Sequence, residues 1–265
     1  MVELLNAKLT KYGSIQIKNK ELELFAYAQL KEFDRNHFKE PHPLDIDSFV
    51  EFYLNKTVLY YQLSPKDDEK RILGTTIISE GKTPIINEYR HIELRVFKKG
   101  TIIIDTNACD IEQRRRFTLA HEAWHSQFDL YIESKMLNND NLIYNNGFAN
   151  DTTIFPRRKW SQKQWIEYHA DMYSTYLLMP RKFVCALFKK FHKECFGKEK
   201  RLTAKKSKRT WLIIKLISDA LCVSQKAVAY RLRELNLISK NIFNSLTMSK
   251  IKEEIKWFKF LWKQY

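Results

Sequence analysis

The chain has 265 residues, 44% of them hydrophobic and 29% charged, which is enough apolar material for one large packed domain or two modest ones. No stretch reaches the ~18 apolar residues of a membrane span. The charged start, with Glu3, Lys8 and Lys11, does not read as an export signal. A cytoplasmic protein with no membrane contact is expected, its four cysteines reduced and partly buried. The net charge of +15 is uneven: residues 1–180 carry 24 Lys+Arg against 25 Asp+Glu, and residues 181–265 carry 22 against 6. A basic last third suits a polyanion or an acidic partner, and equally a solvated lysine-rich surface.

In chain order, residues 20–34 place Leu22, Phe25, Ala26, Leu30 and Phe33 at helical spacing, and Pro41-His42-Pro43 stops the pattern. A short helix follows to Leu54, capped by Asp45, with Ile46, Phe49, Val50 and Tyr53 on one side. From residue 57 the runs Thr57–Leu63, Ile72–Ser79, Ile92–Phe97 and Thr101–Asp105 read as strands of a small, mostly antiparallel sheet. Lys98-Lys99-Gly100 is expected to join the last two as a hairpin. His37, His42 and His91 have no partner at ligand spacing and read as surface or capping residues.

Residues 111–128 form the central predicted helix, with Phe117, Ala120, Trp124 and Phe128 facing a core. Arg114, Arg115 and Arg116 at its start oppose the helix dipole, so they are expected to have partners or solvent. Residues 131–160, rich in Asn and Asp, read as a long irregular connection. Helices are predicted over 162–178, ended by Met179-Pro180, and over 181–192. Residues 193–210 read as a basic linker between a domain at 1–192 and a helical domain at 211–265. Within the latter, 211–238 read as two helices around a tight turn, the second capped by Ser224. Residues 248–265 read as a last amphipathic helix whose Phe258 and Trp262 dock on the body of the protein.

His121 to His125 read HEAWH. Two histidines four apart share one helix face, so one metal ion can take both imidazoles, and Glu122 between them can reach a metal-held water. Chance yields roughly 0.01 such matches in a chain of this composition. A zinc hydrolase needs a third protein ligand. Glu167 and Asp171 lie one turn apart on the helix at 162–178, so Glu167 suits the metal and Asp171 suits the N–H of a ligating histidine. The rival, His169, lies about 200° around the helix from Glu167. As donors to a developing oxyanion, Tyr168, Tyr173, Tyr176 and Arg157 are candidates.

The segment Arg116-Phe117-Thr118-Leu119-Ala120-His121-Glu122 with His125 resembles the core motif of the ImmA/IrrE-type metallopeptidases. Glu167-Tyr168-His169-Ala170-Asp171, followed by Leu177-Leu178-Met179-Pro180, is similar to that family's second motif, and Leu44–Asp47 and Gly100–Asp105 also fit. Trp124 stands where the family usually has a small residue, and Asp129 where it often has histidine. The resemblance implies an α+β, gluzincin-like zinc endopeptidase with one Zn²⁺ on His121, His125 and Glu167 and with Glu122 as general base. It implies a separate intracellular protein as substrate, a transcriptional repressor or regulator.

Residues 217–232 also resemble a helix-turn-helix, which would turn Gln225, Lys226, Ala229 and Arg233 toward DNA. The alternative function is therefore a DNA- or partner-binding regulator with a vestigial metal site.

Overall fold

The computed structural model describes residues 8–9, 15–63, 72–106, 109, 111–136, 160–197 and 207–243. The fold is α+β. A two-stranded ladder, β1 (Lys8–Leu9) with β2 (Ile15–Gln16), precedes helix α1 (Asn19–Phe33). Helix α2 (Ile46–Ser48) then runs into a π-helical turn, Phe49–Tyr53. Asp45 caps it as expected, its carboxylate accepting from the Ser48 N–H at 3.0 Å.

Strands β3 (Val58–Leu63), β4 (Gly74–Thr76), β5 (Gly81–Ile86), β6 (Ile92–Phe97) and β7 (Ile102–Asp105) form one mixed sheet in the order β4-β7-β3-β5-β6. Three of its four neighbour pairs are antiparallel, and β3 with β7 is parallel. The expected β6–β7 hairpin does not form. Every residue of β7 is buried, so this strand needs neighbours on both sides and takes them from β3 and β4. Gly100, at φ 84°, turns the chain back to β4 and gives its N–H to Ile77 O at 2.7 Å. Strand β5 was not expected, because Gly81 and Pro84 disguise it. It is tolerated because, among the described residues, β3 pairs only with Ile85 and Ile86, so Pro84 has no ladder partner on that side to donate to.

Helix α3 (Glu112–Met136) lies over β4 and β7 and packs against α4 (Gln162–Leu178), which in turn packs on α1. Ile102 and Ile104 face this helical side, and Ile103 faces a smaller cluster with Leu63, Ile77, Ile85 and Phe97. Helix α5 (Arg181–Phe196) packs on α6 (Ser207–Leu221), and Cys222, Val223 and Ser224 join α6 to α7 (Gln225–Glu234). Both ends of the stretch read as a linker are thus helical. Ser224 caps α7, accepting from the Ala227 N–H at 3.1 Å.

The helices expected to stand apart at the C-terminal end share the main core: Ile213, Ile217, Leu221, Val228 and Leu232 belong to the same buried cluster as Leu22, Trp124 and Leu177. Ala229 is buried there as well, so it is not turned outward to DNA. Two buried arginines tie these layers together. Arg116 donates to Leu44 O at 2.7 Å and to Cys222 O at 3.2 Å, gripping the α6–α7 turn from α3. Arg231 of α7 lies against the Tyr176 ring and binds Glu23 of α1, Glu234 and Met179 O. Arg115 forks onto Asp47 and Glu112. The arginines at the start of α3 therefore have partners that offset the dipole.

His37 is not at the surface. It is buried among Phe38, His42 and Phe183, whereas His42 and His91 are exposed. The four cysteines are unbridged. No helix among the described residues is long and apolar enough to cross a membrane. The connection at 137–159 and the terminal segment 248–265 lie outside the described residues.

Candidate metal centre

Helix α3 brings His121 and His125 to one face, and α4, packed against it, brings Glu167 to the same point. His121 Nε2 lies 2.9 Å from His125 Nε2 and 3.2 Å from Glu167 Oε2, and His125 Nε2 lies 3.8 Å from that oxygen. Ligands held at 2.0–2.1 Å around a tetrahedral ion stand about 3.3 Å from one another. The three atoms already have that spacing, and two imidazoles with one carboxylate are a donor set that suits a divalent transition metal. The group can hold a metal ion. Behind it, Asp171 Oδ1 lies 3.1 Å from His121 Nδ1, where a carboxylate fixes the tautomer and raises the basicity of a ligating imidazole.

The charges fit the same reading. Burial works against a charged His121, yet hydrogen bonds to Asp171 and Glu167 outweigh it and hold its pKa well above the usual value. Burial likewise works against a charged Glu167, but His125 and His121 bring its pKa down to about 2. The centre thus favours positive charge between the imidazoles and the carboxylates.

Glu122 is buried beside the group. Burial raises its pKa, with His125, His121 and the Thr76 hydrogen bond pulling the other way. Its Oε2 accepts from the Thr76 hydroxyl at 2.8 Å. Sequence reasoning missed Thr76, and it missed Gly74 two residues earlier on β4. A Cβ on Gly74 would stand 3.0 Å from Glu122 Cγ and 2.8 Å from Thr118 Cγ2. Nothing in the sequence pairs a strand Gly-Thr-Thr with a helix some fifty residues later, because the contact runs through space from β4 to α3. A cavity of about 300 Å³ runs along β4 and the start of β5, lined among others by Thr75, Thr76, Ile77, Lys82 and Pro84, so Thr76 belongs to both.

The other candidates lie elsewhere. Tyr173 is buried in the core and donates to Gln29 at 2.6 Å, and Tyr176 donates to Glu234 at 2.7 Å on the α7 side. Tyr168 donates to Asn19 at 3.0 Å. Arg157 and the Asp129 side chain lie outside the described residues. His169 faces away from Glu167, stacked on Trp165, and its Nε2 accepts from the Ile17 N–H at 3.1 Å. Burial lowers its pKa to about 3, as suits a neutral core histidine. Trp124 is buried against Phe128, Tyr173 and Phe25, so the core absorbs its bulk.

No protein-family model matches the chain, and no curated protein matches it significantly.

Proposed function

We propose that this protein is a zinc-dependent endopeptidase that cleaves a specific intracellular protein, in keeping with its resemblance to the ImmA/IrrE-type metallopeptidases. One observation carries the reading: three ligand atoms of the right chemistry stand at tetrahedral spacing, with a buried glutamate from the same helix turn beside them.

His121, His125 and Glu167 would hold the zinc, and Asp171 orients His121. When bound, zinc supplies Lewis acidity toward a water and toward the scissile carbonyl. Glu122 is the general base. Its carboxylate takes a proton from the attacking water and passes it to the leaving amine. Burial raises its pKa toward the range where both transfers are efficient, and Thr76 fixes the carboxylate by one oxygen.

The purified chain is expected to contain zinc near one per molecule by metal analysis. Glu122→Gln should retain the metal and lose cleavage of a co-expressed repressor encoded nearby. A folded wild-type chain that takes up no metal overturns the proposal.

A second reading concerns α6 and α7, which are linked like a helix-turn-helix: the Ser218 hydroxyl closes the turn on Val223 O at 2.6 Å, and Arg233 and Tyr230 are exposed on α7. This face would bind a polyanion such as duplex DNA, alone or beside the peptidase activity. Binding that weakens steeply with salt would support it, and no binding at low salt would end it.

A further inference from the structure

Strand β6 ends the sheet, and among the described residues no strand pairs with its outer edge. Its side chains are arranged the wrong way round for a solvent edge. Ile92, Leu94 and Val96 are 67%, 58% and 66% exposed on one face, while Glu93 and Arg95 pair with each other on the opposite face, toward Tyr61.

The open backbone groups can be located. Pro84 lies opposite Leu94 and has no N–H, so that pair is not hydrogen-bonded, whereas Asn87 N–H bonds His91 O at 2.9 Å. By alternation, residues 91, 93, 95 and 97 bond to β5, and Ile92, Leu94 and Val96 turn their N–H and C=O groups to the free edge.

The sequence Ile92-Glu93-Leu94-Arg95-Val96 is chemically self-complementary when one copy is laid antiparallel on another about a two-fold axis at Leu94. Ile92 then meets Val96 of the second copy, Leu94 meets Leu94, and each of these is a hydrogen-bonded pair made from the open groups. Glu93 meets Arg95 at the close, non-hydrogen-bonded positions, where cross-strand charges interact most strongly. Slipping the register by one pair in either direction sets Glu93 against Glu93 or Arg95 against Arg95. The two charges therefore select this register. Residues 1–180, which include β6, are nearly neutral, with 24 basic against 25 acidic residues, so the repulsion between two chains of net charge +15 comes from residues 181–265 and is screened by salt.

We propose that β6 is a self-association edge: two copies of this chain join through antiparallel β6–β6 pairing centred on Leu94, making one continuous sheet across the dimer.

Sedimentation equilibrium of the full chain, from micromolar to millimolar concentration with reductant, tests it. Wild-type protein is expected to double its mass as concentration rises. Glu93→Arg and Arg95→Glu each place like charges opposite one another, and each should weaken the dimer about tenfold or more. Mixing the two variants restores complementary pairs, so the mixture should dimerise with close to wild-type affinity. Leu94→Lys sets two ammonium groups at the axis and should abolish association. Leu94 and Arg95 are exposed and Glu93 is half-buried at the surface, so circular dichroism should report an unchanged fold.

A wild-type chain that stays monomeric throughout would overturn the proposal and leave the stripe to another protein's strand. So would a dimer indifferent to these substitutions, or single variants that are not rescued by mixing.

Discussion

Gly74→Ala is a small change with a large expected effect, because β4 touches α3 through this position. The new methyl would meet Thr118 Cγ2 at 2.8 Å and Glu122 Cγ at 3.0 Å, with Ile103 O at 3.3 Å behind. Neither side-chain contact can move cheaply. Thr118 is buried and β-branched on a helix, so its rotamers are few, and Glu122 is held by Thr76. Overpacking of this kind costs about 1–3 kcal/mol. Alanine recovers about 0.4–1 kcal/mol by stiffening the unfolded chain, so the net loss is roughly 1–2 kcal/mol. At 2–4 °C per kcal/mol for a chain of this size, the melting temperature should fall by about 2–8 °C in calorimetry. Gly81→Ala is the control, since its Cβ would meet only Ser79 O, at 3.9 Å. Equal stability of wild type and Gly74→Ala, or an equal loss in Gly81→Ala, would refute the reasoning.

Three further outcomes are expected. Asp171→Asn should weaken metal binding about tenfold in a chelator competition, the low end of such effects because Asp171 is partly open to water. Because His121 has to shed its proton to bind, affinity should also rise with pH. His37 has its pKa lowered to about 4, first by burial and then by His42. In the unfolded chain it protonates near 6.5, so the unfolded state binds more protons between pH 6.5 and 4. Stability is full above pH 6.5 and should drop by up to about 3 kcal/mol as pH falls to 4, a loss that denaturant melts of His37→Phe should lack. Arg231→Met should cost about 1.5–3 kcal/mol by removing the buried charged donor to Glu23, Glu234 and Met179 O, whereas Arg181→Met, at the exposed end of the same network, should cost under about 1 kcal/mol in the same melts.

What the sequence revealed was what repeats locally. The 3.6-residue pattern marks α1 and α4, and the side chains of Asp45 and Ser224 mark two helix starts, because both signals lie within a few residues. His121 and His125 were legible for the same reason, one helical turn apart, and Glu167 with Asp171 by the same spacing together with the family resemblance. Strand neighbours are a non-local matter. Lys98-Lys99-Gly100 is a turn in the sequence and in the fold, yet β7 pairs with β3 and β4, because the burial of Ile102 to Ile104 decides its place. Thr76 and Gly74 became visible only once β4 lay against α3. Arg116 and Arg231 look like surface charges in a basic chain until the packing shows them enclosed.

The enclosed Arg231 bears on the order of events during synthesis. Its partner Glu23 leaves the ribosome 208 residues earlier, and α1 carries the apolar face on which α4 and the metal-site residues rest. Until α7 emerges, Glu23 lacks its buried counter-charge and Cys222 is not there for Arg116 to grip. The nascent chain therefore completes the packing around α1 and α3 only once α7 has emerged. Until then a half-made molecule is expected to lie open to chaperones and to degradation.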